Sequence, residues 1–453
     1  MSGDLAGRLA EYAWGLGFGD LPAEVVHEAK RRVIDSLGCA LGAYAAEPVK
    51  VARAVVHELG GVPAATILGS RDRSSPPLAA FVNGIMVRYL DYNDTYLSRE
   101  PAHPSDNIPA ALAVAESEGR SGADLITAIV LAYEIQCRLA DAASLRARGW
   151  DHVTYGAFSV AASAAKLMGL DPDRIRHALG LSGVAGVALR QTRAGELSMW
   201  KGAAFANTAR NAVLAASLAR AGMTGPAPIF EGEFGFFRQV SGEFDPGPLG
   251  GQGVPFRITD TSIKVWPAEY HAQPGIEAAL RVRERGVAVD DIDEVVIHTF
   301  RAAVEIIAKD PEKWRPRTRE TADHSLPYCV AVALADGTVT PAQFLPHRLA
   351  DERIHALLDR TRVVEDPGLT ERYPEAVPTV LEVRLRSGET VVERVDYPRG
   401  HARNPVSDAE VEQKFLSLTG GLLSPAQQDA ALARLWRLEE EEDLRALLGT
   451  VVV

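Results

Sequence analysis

Ser262-Ile263-Lys264-Val265-Trp266-Pro267-Ala268-Glu269-Tyr270-His271-Ala272-Gln273 is where the texture of this chain changes. Before it, Ala, Leu and Val dominate and polar residues recur at helical spacing. Leu21 to Leu41 places Val25, Val26, Ala29, Val33, Leu37 and Leu41 on one stripe, and Pro22 suits a first turn. Ser121-Gly122-Ala123-Asp124 opens a helix running to Leu139, Asp171 caps another, and Phe205 to Ala221 predicts one more. Small-residue runs such as Ala161-Ala162-Ser163-Ala164-Ala165 let helix axes approach closely, so a compact multi-helix body is expected. Asp245 to Pro255, rich in Gly and Pro, reads as a long connection leaving that body.

After the change, Glu294 to Thr299, Thr379 to Arg386 and Glu389 to Val395 read as strands, the last two joined by a Ser387-Gly388 turn. Cys329 to Asp336 reads as a helix between them, and Thr340-Pro341 caps the start of another at Pro341 to Phe344. From Ser407 the helical texture returns with two capping boxes, Ser407 to Glu410 and Ser424 to Gln427. The expected fold is therefore mainly α. A large helical domain takes both chain ends (residues 1–264 and 402–453), and a smaller α+β domain (265–401) is inserted between them.

Composition narrows the function classes. With 453 residues, 47% hydrophobic and 24% charged, the chain is expected to be a soluble globular protein of two or three domains. A net charge of -12 and a pI near 5.5 argue against nucleic acid as partner, although a small anion responds to local charge only. Cys39, Cys137 and Cys329 lie far apart without metal-ligand spacing and read as buried free thiols in a reducing compartment. No run approaches the roughly 18 apolar residues of a membrane span. Met1-Ser2-Gly3-Asp4 lacks a basic leader. A cytoplasmic location with no membrane partner is expected.

Polar clusters interrupt the apolar texture. Asp91-Tyr92-Asn93-Asp94-Thr95 and His103-Pro104-Ser105-Asp106-Asn107 form a knot between two helical stretches, costly to bury unless paired. His152 precedes an Ala-rich helix, and Lys201 stands at the start of another, where the helix dipole also favours anions. Lys264 lies in the boundary stretch, and Asp323-His324-Ser325-Leu326-Pro327-Tyr328 follows later. Each has a plainer reading as a cap, a core histidine or a solvated lysine. Together they supply cations and acid/base groups suited to a polyanionic substrate in an interdomain cleft.

These motifs, with His401-Ala402-Arg403-Asn404-Pro405-Val406-Ser407-Asp408, resemble in order those of the MmgE/PrpD family, over about residues 20 to 420. That family includes 2-methylcitrate dehydratase and cis-aconitate decarboxylase. The resemblance implies a helical domain, an α+β lid, a homodimer and chemistry without metal or other cofactor. By motif position it implies catalytic roles for Asp91, His103, His152 and Tyr328. It implies substrate-binding roles for Thr95, Lys201, Lys264, Glu269 and His324. Decarboxylase members carry a histidine where this chain has Glu269, with His271 nearby, so the dehydratase branch is expected. The expected activity is a cofactor-independent elimination of water from a citrate-like hydroxy-tricarboxylate, 2-methylcitrate first. A decarboxylase or other polycarboxylate lyase or isomerase is the near alternative, and a non-catalytic acid-binding dimer the distant one. The Asp91-Tyr92-Asn93-Asp94 pattern also suggests a Mg²⁺-diphosphate motif, but no second acidic motif accompanies it.

Overall fold

A computed structural model describes residues 3–453. The chain is mainly helical, with a two-stranded and a four-stranded sheet. Helix Trp200–Arg220 is the hub of the first part, packing against Pro76–Tyr89, Gly156–Leu167 and Pro172–Ala185. Small residues make that closeness possible. A Cβ built on Gly84 would lie 2.8 Å from the Cβ of Ala206, so any larger residue would force the two helices apart. The hub begins at Trp200, earlier than the expected Phe205, because Lys201 to Ala204 are buried helix residues.

The two ends of the chain meet. Helix Asp408–Thr419 packs on Ala23–Gly42, with the Phe415 backbone lying over Gly38. The predicted capping boxes at Ser407 and Ser424 form, as does the Asp171 cap, and the helix expected to open at Ser121 does so through a capping box of its own. The run from Asp245 to Pro255 holds no helix or strand and is tied down by the Glu134 carboxylate. Glu134 accepts the Gly250 and Arg257 amides at 2.7 Å each and pairs with Arg138 at 2.6 Å.

Buried apolar side chains form two clusters. One draws on residues between Leu5 and Ile263 and again between Val406 and Val451; the other lies between Ala268 and Val395. Within the second, the strands lie in the order Thr361–Glu365, Ile292–Thr299, Thr379–Leu385, Thr390–Val395. The last two pair antiparallel through a turn in which Gly388 takes φ +90°, a value that favours glycine. Thr361–Glu365 was not expected from sequence. It is a short edge strand, parallel to Ile292–Thr299, with much of its surface exposed. Pro341–Phe344 is a single 3₁₀ turn. All three cysteines are free and buried, and among the described residues no helix is long and apolar enough to cross a membrane.

Candidate active site

Helix Pro76–Tyr89 stops one residue short of Leu90, and the next residue, Asp91, takes φ +51°. Aspartate tolerates that left-handed conformation better than most residues, yet it costs free energy that the surroundings must supply. They do so by placing donors around it. Lys264 Nζ donates to the Asp91 carbonyl at 3.0 Å and also to its Oδ1. Arg88 Nη1 pairs with Oδ1 at 3.0 Å, and Lys201 Nζ lies 3.1 Å from Oδ2. Thr95 and Ser262 exchange backbone hydrogen bonds of 2.8 Å, which brings Lys264 beside Asp91. Behind this floor, Lys414 of helix Asp408–Thr419 donates to the carbonyls of Tyr92 (2.6 Å) and Lys264 (2.9 Å) and pairs with Asp35 at 2.6 Å.

The second apolar cluster contributes the other wall. Lys201 Nζ donates to Asp323 Oδ1 at 2.6 Å and lies 3.2 Å from His324 Nδ1. His324 Nδ1 also lies 2.8 Å from Asp323 Oδ1. That nitrogen stands between an ammonium and a carboxylate, so its proton can sit on either side. Glu269 and His271 line the same pocket and pair with each other, Oε1 to Nδ1, at 2.9 Å.

His103 Nδ1–H donates to the Asp94 carbonyl at 2.8 Å. Its Nε2 therefore carries the lone pair and accepts from Arg88 Nη2 at 3.0 Å. His152 lies edge-on to it, with ring centroids 5.6 Å apart. Together Arg88, His103, His152, Glu269, His271 and His324 line a pocket of about 540 Å³, counting its open mouth.

Burial and neighbouring charge set the protonation states. Burial pushes the Asp91 carboxyl up, but Arg88, Lys264, Lys201 and His324 outweigh it and hold it well below the usual range. Burial, with Arg88 and Lys264 beside it, takes His103 well below its ordinary value. Burial takes His152 down to about 3, and burial with Lys201 takes His324 to about 4. Burial also lowers Lys264, against the pull of Asp91. Burial pushes the Glu269 carboxyl up, but its partner His271, with His324 and Lys264, outweighs it and brings it to about 2. His103, His152 and His324 thus stand as neutral imidazoles over a floor of fixed charges.

Seven of the nine expected residues converge here: Asp91, His103, His152, Lys201, Lys264, Glu269 and His324. Lys201 and Lys264 lie under the pocket, bound to Asp91, so their charge reaches it through that carboxylate and His324. Two residues are placed otherwise. Tyr328 lies in the second apolar cluster, and its hydroxyl donates to the Gln343 carbonyl at 2.7 Å. The Thr95 hydroxyl donates to the Ala102 carbonyl at 3.2 Å and holds the loop that ends at His103. Sequence reasoning missed Arg88, Arg146, Arg190 and Arg193, which also line the pocket. Their only sequence signal is basic pairs at 146 and 148 and at 190 and 193, in segments far apart along the chain. Asp91, Asp323 and His324 have ligand atoms within 4.8 Å of one another, a spacing a metal ion could use. The Lys201 ammonium already occupies their midst.

Fold and pocket together define a mainly helical acid–base site built around a buried cationic floor. Comparison with known proteins gives the lineage. The MmgE/PrpD N-terminal domain matches residues 7–249 and the MmgE/PrpD C-terminal domain residues 266–438. The chain belongs to the MmgE/PrpD family. It is 32% identical to a 2-methylcitrate dehydratase of Cupriavidus necator, over 89% of this chain and 88% of that protein. It is 33% identical to the 2-methylcitrate dehydratase of Escherichia coli (strain K12), covering 82% and 81%. A cis-aconitate decarboxylase-like protein of Aspergillus oryzae is 27% identical over 99% and 97%.

Proposed function

We propose that this chain is a hydro-lyase that eliminates water from a citrate-like hydroxy-tricarboxylate, with 2-methylcitrate giving 2-methyl-cis-aconitate as the first candidate. The observation that carries the reading is His103, half-buried and neutral with its Nε2 lone pair fixed, lining one pocket with His324 above a cationic floor. His103 Nε2 takes the proton alpha to a carboxylate. The C–O bond breaks as the departing hydroxyl takes the His324 Nε2 proton, and Lys201 returns a proton to Nδ1, 3.2 Å away. Water leaves and the double bond forms. Arg88 couples binding to chemistry. A substrate carboxylate that draws the guanidinium off His103 Nε2 frees the base, and the same guanidinium meets the charge that develops on that carboxylate. No step calls on a metal or other cofactor.

Pocket residues drawn from the chain segments of both apolar clusters support a division into a helical domain (1–264 and 402–453) and an α+β lid (265–401) that opens to admit substrate. A contraction on adding substrate, measured by small-angle scattering, tests that motion. Exposed Val184, Leu189, Met199 and Trp200, on and between two helices, support a homodimer, which light scattering tests. The three buried thiols fit a cytoplasmic setting.

Purified protein incubated with methylcitrate isomers, citrate and cis-aconitate, scored for unsaturated product and for CO₂, tests the activity. Dehydration of methylcitrate is expected. CO₂ without dehydration overturns the reading in favour of decarboxylation, which His271 beside Glu269 in the pocket supports as second choice.

A further inference from the structure

The pocket has a second tier of charge that the proposed elimination does not use. Arg146 and Arg190 line its mouth, half-buried. Their turns are pinned together: Asp151 N–H donates to the Ala188 carbonyl at 2.8 Å and Arg190 N–H to the Gly149 carbonyl at 3.0 Å. Glu100 fixes the first turn by accepting from Ser144 Oγ at 2.9 Å and from the amides of Leu145 (2.8 Å) and Arg146 (3.1 Å).

The floor and the mouth differ in how their cations are compensated. In the floor, Lys201, Lys264 and Arg88 each pair with Asp91. At the mouth, Arg193 pairs with Asp151 at 3.0 Å. Among the described residues, neither Arg146 nor Arg190 has a carboxylate within ion-pair distance. Arg146 lies beside the neutral Tyr373 hydroxyl, and Glu100 faces both arginines from beyond ion-pair distance. Burial disfavours the Arg190 charge, Glu100 and Asp151 favour it, and Arg146 and Arg193 again disfavour it. Two neighbouring guanidiniums held without an anion make a preformed carboxylate fork.

We propose that Arg146 and Arg190 form a distal carboxylate subsite that selects substrates carrying a carboxylate beyond those held over the Arg88 floor. This rests on the proposed polycarboxylate chemistry, and it assigns the mouth of the pocket the choice between tricarboxylates and dicarboxylates. Glu100 acts as a positioning residue by setting the turn that carries Arg146.

The test is calorimetric binding of tricarballylate and glutarate, neither of which can lose water, to wild type, Arg146→Met and Arg190→Met, alongside methylcitrate turnover. Wild type is expected to prefer tricarballylate. Each variant should lose roughly 10- to 100-fold in tricarballylate affinity, the worth of a charge-assisted hydrogen bond or two, with a narrower preference over glutarate. Arg190→Lys should recover part of the loss. Unchanged tricarballylate affinity in both folded variants overturns the subsite, whatever the turnover. If wild type dehydrates methylcitrate and the variants keep the tricarboxylate preference, the subsite fails and the function stands. Arginine-dependent tricarballylate binding with no turnover of any hydroxy acid leaves the subsite standing and the hydro-lyase reading fallen. Absence of tricarballylate binding to wild type overturns the subsite, and absence of both that binding and methylcitrate turnover overturns the function as well.

Discussion

The segments Asp91–Asn107 and Asp323–Tyr328 look alike in sequence, each a polar run with a histidine beside apolar helix, yet the structure uses them differently. In the first, charge gathers on Asp91, His103 lines the pocket, and Asp94 and Asn107 hold the loop. Asp94 accepts from the Ser105 amide at 2.9 Å and from the Tyr133 hydroxyl at 2.8 Å, while Asn107 bonds Gln136 and Ser159. In the second, Asp323 and His324 enter the site, but Ser325 becomes an N-cap and the chain turns into helix Leu326–Asp336. Tyr328 then follows the apolar face of that helix away from the pocket. Loop side chains are free to converge on a site; a helical side chain goes where its face goes.

The largest effect that could break this contrast is at Asp91. Asp91→Asn leaves Lys201, Lys264 and Arg88 buried without their shared counter-charge. It should cost about 3–5 kcal/mol of stability. It should also cost on the order of 10³-fold in turnover. Urea unfolding and a dehydration assay read the two, and wild-type values in both would mean the floor is not organised by this carboxylate.

His103→Gln comes next. It keeps the pocket filled but removes the base, so kcat should fall roughly 10²- to 10⁴-fold. A variant that stays folded by circular dichroism and keeps its rate would move the base to His152.

Asp106 sharpens the contrast within the first segment. Burial, against the pull of Arg88, lifts its carboxyl from 3.8 to about 7, so the folded state favours the protonated form. Its stabilising contribution is full below the ordinary carboxylate value and is lost as pH rises from about 4 through about 7. Asp106→Asn should therefore gain stability relative to wild type between pH 4 and pH 8. A constant difference across that range would show that Asp106 stays ionised throughout.

The smallest effect is expected at Tyr328. Tyr328→Phe loses only the bond to the Gln343 carbonyl, about 1 kcal/mol, and should leave turnover unchanged. A large loss of kcat with unchanged stability would place this tyrosine in the chemistry and erase the distinction between the segments.

Much of the fold was legible because its signals are local. Caps at Ser121, Asp171, Ser407 and Ser424, and the Ser387-Gly388 turn, depend on a few neighbouring residues. Strand Thr361–Glu365 was not, because an exposed parallel edge is defined by its partner rather than by its own pattern. The site divides in the same way. Asp91, His103 and Lys264 stand in conspicuous polar runs, and the family resemblance supplied their roles. Arg146 and Arg190 become neighbours only through the pairing of Trp150 with Leu189, a contact no local signal predicts. Tyr328 lies in the second apolar cluster because helix Leu326–Asp336 sets its face, which a motif position does not record.

The Lys414 clamp carries a consequence for the order in which the molecule is made. Its ammonium reaches back to the carbonyls of Tyr92 and Lys264, and its helix lies on Ala23–Gly42. The turn that holds Asp91 is thus locked by a helix whose Lys414 lies 322 residues further along the chain than Tyr92. The nascent chain must carry a half-built floor of buried lysines until that helix docks, a long-range closure of the kind that slows folding. Competence for catalysis then waits on that helix, so a chain stalled before it would be both inactive and a ready substrate for quality control.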